Sequence, residues 1–166
     1  MPIKIHSIML PRPSTKAEEY FFNGVDHPLV PPESTLELNL YRGALKWHPA
    51  HVGLLFPRDF HIGWRATRRE FLNRMEAEGI VSLHAGILDG LLAHKHLISE
   101  EFKRRRTFFG GTVYSVGGSE YIRALAWHTV IMPGWNSENA MLDMPLEESE
   151  PFLIDRFRSH SVELVL

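Results

Sequence analysis

His128 and Arg123 stand in one long β-rich run, residues 120–132, within the stretch FFGGTVYSVGGSEYIRALAWHTVIMPGW that spans residues 108–135. An imidazole titrates near neutrality and can act as a general base when a carboxylate fixes its tautomer. Glu120 and Asp143 are the acids within plausible reach, and Tyr114 is a neighbouring phenol. Arg123 could hold an anionic substrate beside that base. His128, Arg123 and Glu120 are therefore the candidate catalytic set of a small hydrolase or lyase. No Gly-x-Ser-x-Gly elbow accompanies them, so serine nucleophilic catalysis has little support. The plainer role for a buried histidine is a structural hydrogen bond.

Ten histidines give a second chemistry. His48 and His51 flank Pro49–Ala50, and His61 follows across an expected turn; three neutral imidazoles converging there would suit a divalent metal with open positions for water. The spacing matches no helix-borne ligand pair. No other cofactor is implied. His84 falls in the middle of a wide apolar arc, where it is a candidate for ligand contact or a satisfied core residue. Trp127, Trp135 and Asn136, at and just after the long run, are candidate partner or ligand contacts, because loops following a central strand carry recognition. Lys103–Arg106 followed by Phe108 and Phe109 has the ingredients of a single-strand nucleic-acid surface. Acidic neighbours and a net charge of -2 argue for a solvated helix end instead.

Around these residues the composition is that of an ordinary globular chain: 166 residues, 44% hydrophobic and 23% charged. The absence of cysteine excludes disulfides, thiolate nucleophiles and cysteine-ligated metals. No apolar run approaches ~18 residues, which excludes a membrane helix, and the first residues lack a signal-peptide pattern. A cytoplasmic location follows as the expectation. Arginine outnumbers lysine 13 to 5, a skew that a GC-rich genome explains.

The elements that must position these side chains can be read from pattern. Gly117–Gly118 predicts a hairpin between residues 112–116 and 120–132, the second arm apolar on both faces and so central. Gly110–Gly111 predicts a bulge or a close backbone approach. Residues 3–10, 35–41, 51–56 and 60–64 read as strands. Thr67-Arg68-Arg69-Glu70 fits a capping box opening a helix over 68–78, residues 80–93 read as a second helix, and Ser99 could cap a third. Residues 151–160 read as a last helix and 162–166 as an edge strand. Strands and helices are segregated in this order, which predicts a single α+β domain, residues 1–166, with a mostly antiparallel sheet packed by three to four helices.

Phe21, Phe22, Trp47 and Trp135 are aromatics in expected loops, and Gly86, Gly90 and Ala93 form a small-residue strip. The strip favours tight intrachain packing over a dimer seam, whereas the loop aromatics suggest a homodimeric binding or regulatory protein, of accessory or immunity type, acting through protein–protein or small-ligand contacts. The alternative is the histidine-based enzyme above. Nucleic acid and membrane are not expected partners.

Overall fold

Gly117 and Gly118 take φ of 57° and 82°. Two positive φ values are what a tight hairpin turn needs, and glycine adopts them without a Cβ penalty. In this computed structural model, residues 3–8, 28–39, 47, 49–60, 66–130, 132–160 and 162–165 are described. Among these residues eight strands are present: β1 (Ile3–His6), β2 (Thr35–Asn39), β3 (Val52–Leu55), β4 (Thr107–Val116), β5 (Ser119–His128), β6 (Gly134–Met141), β7 (Phe152–Asp155) and β8 (Val162–Val165). Two α-helices join them, α1 (Arg68–Ala77) and α2 (Ala85–Ala93).

The strands form one sheet in the order β6-β5-β4-β7-β3-β1-β8, with β2 also pairing β4. β1–β8 and β4–β7 are parallel and the remaining pairs antiparallel. β5 lies between β4 and β6, and its apolar residues serve both faces. Leu125 packs with Phe109, Leu153 and the Ile87, Leu88 and Leu91 stripe of α2. Ile122 and Ala124 pack on the other face with Phe108, Phe152, Ile154 and the Phe71 and Met75 stripe of α1. One helix on each face is the cover that a doubly apolar strand demands.

The expected α+β domain with three to four helices is overturned. The molecule is mostly sheet, in one mixed eight-stranded layer, with two α-helices among the described residues. Residues 151–160 supply the largest correction, since Phe152–Asp155 is a strand, β7, rather than a helix. Phe152, Leu153 and Ile154 are all fully buried, and a short continuous apolar run has no periodicity with which to tell strand from helix. The third helix is a 3-10 helix, Glu100–Arg104, whose Ser99 makes no side-chain cap. The turn expected at Pro57–Asp59 is a 3-10 helix, Pro57–Phe60, so Phe60 does not open a strand; the rest of the strand expected over 60–64 lies outside the described residues.

α1 follows its sequence signals. The Thr67 hydroxyl accepts from the Glu70 N–H at 3.2 Å, and Gly79 ends the turn with φ 74°. α2 does not begin at residue 80, because residues 81–83 are drawn into the sheet. Leu83 N–H donates to Leu153 O at 3.0 Å, Asp155 N–H to Val81 O at 2.8 Å, and Gly111 N–H to Leu83 O at 2.9 Å. This segment therefore fills a fork. The first half of β4 pairs β7 through Phe108↔Phe152, while its second half, Thr112 to Ser115, pairs β2. Between the halves, the β4–β5 register shifts from Phe109↔Arg123 to Tyr114↔Tyr121. Gly111 makes the fork possible: a Cβ there would stand 2.7 Å from the Leu83 carbonyl. The close approach expected of Gly110–Gly111 is thus observed, inside the strand rather than at its start.

Candidate functional site

The proposed catalytic set is not brought together. Arg123 and His128 point to opposite faces of β5. Glu120 lies eight residues from His128 along the strand, about 26 Å at the usual rise. Each has its own partner. Glu120 Oε1 accepts from Arg69 Nη1 at 2.8 Å, and Arg69 Nε also donates to Asp143 at 2.8 Å. Those two carboxylates hold the Arg69 guanidinium strongly charged, and in return it lowers the Asp143 pKa. His128 does meet a carboxylate, but the acid is Glu138 on β6, at 2.7 Å from Nε2. The cross-strand register puts the two on one face: Gly134 opposes His128 and Glu138 opposes Ala124, so they stand four positions apart, about 13 Å at the usual rise, and their side chains reach along the strands to meet. Glu138 is also 3.6 Å from Arg106, which forks onto Glu150 at 2.8 and 3.0 Å.

Arg123 is 1% exposed, the most deeply buried charge of the described residues. Its Nη2 donates to Asp89 Oδ1 of α2 at 2.9 Å. Burial disfavours the guanidinium charge, but Asp89 and the neighbouring Tyr114 hydroxyl outweigh it and raise the pKa. Burial also raises the Tyr114 phenol, which stays neutral.

His84 takes a role that no periodicity could indicate. It is the N-cap of α2, and its Nδ1 accepts from the Gly86 N–H at 3.1 Å. An accepting Nδ1 must be unprotonated, so the ring is the neutral Nε2–H tautomer. It is 3% exposed; burial, then the charge of Arg158, lowers its pKa.

Two of the candidate contacts converge with one catalytic candidate. His128, Trp135 and Asn136 line an open depression of about 740 Å³ with Leu92, Lys95, Met132 and Ser137. Trp127 stands behind it, edge to face with Trp135 at 5.0 Å and 4.0 Å under the Lys103 ammonium. The Asn136 amide is committed to its own loop, donating to Met132 O and Gly134 O at 2.9 and 3.0 Å. Trp47, expected in a partner-facing loop, is instead 1% exposed in the core. Phe21 and Phe22 lie outside the described residues.

Of the metal candidates, His48 and His61 lie outside the described residues. The His51 ring stands edge-on to Phe157 at 5.0 Å. Among the described residues no three histidines or acids form a group that could hold a metal ion. The basic run is largely occupied: Lys103 pairs Glu100 at 2.8 Å, Arg105 stacks over Phe56 at 4.7 Å, and Arg106 binds Glu150.

The feature that sequence reasoning missed is a cavity of about 660 Å³ on the α1 side of the fork. α1 supplies Arg69, Leu72, Asn73, Met75 and Glu76, the fork supplies Ser82, Gly110 and Val113, and β2 supplies Glu37 and Leu38. Arg158 and His160, after β7, close one side. The His160 N–H is fixed by a bond to Gly79 O at 3.0 Å. The only sequence signal for this hollow was the double glycine.

No helix among the described residues is long and apolar enough to cross a membrane. No family model matches the chain, and neither does any curated protein or any solved structure.

Proposed function

We propose that this protein works by binding, taking a small amphipathic molecule into the cavity between α1 and the forked sheet. The carrying observation is the cavity's composition. Leu38, Leu72, Met75, Ile80, Val113 and Leu142 offer an apolar floor, with arginine, asparagine, histidine and glutamate groups around it. Binding sites for small molecules are concave, of ~300–1,000 Å³, mostly apolar and marked by a few convergent polar groups. The dispersal of His128, Arg123 and Glu120 onto three separate partners favours this reading over the hydrolase or lyase one.

The test uses anilinonaphthalene sulfonate, an amphipathic fluorophore, on the full chain. One saturable site is expected, and Leu38→Trp, which blocks the cavity mouth at a half-exposed position, should weaken it about tenfold. Equal binding by wild type and variant would remove the proposal.

Homodimerisation is a second component of the reading. Its support is the outer edge of β6, which carries no proline, lysine or bulge to discourage strand addition. Light scattering tests it: a mass that stays monomeric as concentration rises dismisses the dimer.

A further inference from the structure

Residues 28–34 (PLVPPES) cross the α2 face of the β4–β5 hairpin, held by side chains that grip the backbone. Leu29 N–H donates to Asp89 Oδ2 at 2.8 Å, and the Tyr114 hydroxyl donates to Leu29 O at 3.1 Å. One residue thus has both main-chain groups read by two side chains. Farther along, Ser34 Oγ and the Tyr121 hydroxyl are 2.6 Å apart. Tyr114 and Tyr121 stack at 5.2 Å with 14° between their planes, a flat aromatic floor. The segment's apolar anchoring rests on Pro28, which is buried. Leu29 is 65% exposed and Val30 40% exposed.

We infer that Asp89, Tyr114, Tyr121 and Arg123 form a receptor for an extended, proline-containing peptide of another protein, occupied in the resting molecule by the chain's own residues 28–34. Aromatic floors with hydroxyl donors aimed at carbonyls suit proline-rich segments, whose backbone is already extended and loses little entropy on docking. Proline also explains the division of labour: Pro31 and Pro32 have no N–H to satisfy, and the receptor's backbone bonds fall on the Leu29 N–H and C=O. A second observation points to a better ligand than the internal one. Among the described residues the buried Arg123 Nη1 has no hydrogen-bond partner, and its neighbour Nη2 is spent on Asp89. Buried donors are rarely left unmade. An incoming peptide that brings an oxygen to Nη1 gains a bond that residues 28–34 do not make. The external peptide and the internal segment compete for one surface, so the internal segment acts as a built-in inhibitor. This site is on the opposite face from the cavity under α1 and is independent of it.

The probe is a fluorescent synthetic peptide of residues 27–35. Leu29→Pro with Ser34→Ala removes the Leu29 N–H and Ser34 hydroxyl bonds and leaves the receptor side chains untouched. An affinity seen through a competing internal segment is reduced by the fraction of molecules that are open. The double variant should therefore bind the peptide at least about tenfold tighter than wild type, and adding Tyr114→Phe should reverse most of that gain. Equal affinity for wild type and double variant, no saturation of the double variant below about 1 mM peptide, or indifference to Tyr114→Phe would each overturn the inference. Wild type supplies a test without substitutions: excess peptide should shift the Leu29 and Val30 amide and Arg123 side-chain resonances together. Failure to move them also refutes it.

Discussion

His84 makes a sharp prediction because one nitrogen does two jobs. Protonation at Nδ1 would put a charge in a buried site and break the cap on Gly86 N–H, at 3.1 Å. The nearby Arg158 charge opposes it further, and Asp89 only partly offsets both. The folded pKa is therefore below that of the unfolded chain, about 6.5. Between those two values the unfolded state binds more protons, so stability rises with pH. It is at full strength above about pH 6.5 and declines as pH falls toward the folded value. One proton sets the ceiling: about 1.4 kcal/mol per pH unit, and no more than about 2 kcal/mol between pH 7 and pH 5. His84→Asn keeps a good N-cap acceptor but cannot titrate. Urea unfolding of both proteins across that range should show the wild type losing up to that amount relative to the variant. A stability difference that stays constant with pH, or wild type gaining as pH falls, would refute the reasoning.

Three further expectations rest on other parts of the fold. Asp89→Asn alone leaves the buried Arg123 charge unpaired and should cost about 3–5 kcal/mol by urea unfolding. Arg123→Met leaves Asp89 part-exposed and still bonded to the Leu29 N–H and should cost less, and pairing it with Asp89→Leu should recover much of the Asp89→Asn loss; additive losses would contradict a coupled pair. Gly111→Ala drives a Cβ to 2.7 Å from the Leu83 backbone, an overpacking expected to cost about 1–3 kcal/mol, and a neutral result would place the fork elsewhere. Glu138→Gln, at a pair whose side chains are 33% and 34% exposed, should change stability by less than about 1 kcal/mol; a larger loss in thermal unfolding would mean the His128–Glu138–Arg106 chain is a structural keystone.

Local signals in the sequence determined the hairpin, the central placement of residues 121–126, the first helix with its Thr67 cap, and the tight passage at Gly110–Gly111. Each depends on neighbours within a few residues: φ freedom at glycine, a hydroxyl three residues from its N–H, or alternation along one strand. The helix-or-strand choice at residues 152–155 was decided by tertiary structure. A run of four buried residues satisfies either geometry, and only the vacant place between β3 and β4 selects the strand. The same holds for residues 81–83, which a helical wheel assigns to α2 but which the fork in β4 claims as sheet.

The candidate site divides along the same line. That a carboxylate could fix His128 was an expectation attached to Glu120 or Asp143; that the acid is Glu138 follows from the β5–β6 pairing, which places both side chains on one face. Arg123 was recognisable as hard to bury, yet its partner Asp89 is on a helix 34 positions earlier in the chain. The cavity under α1 and the strap over Tyr114 and Tyr121 are made by segments remote in sequence. Packing alone brings such segments together, so no spacing of residue types could announce them.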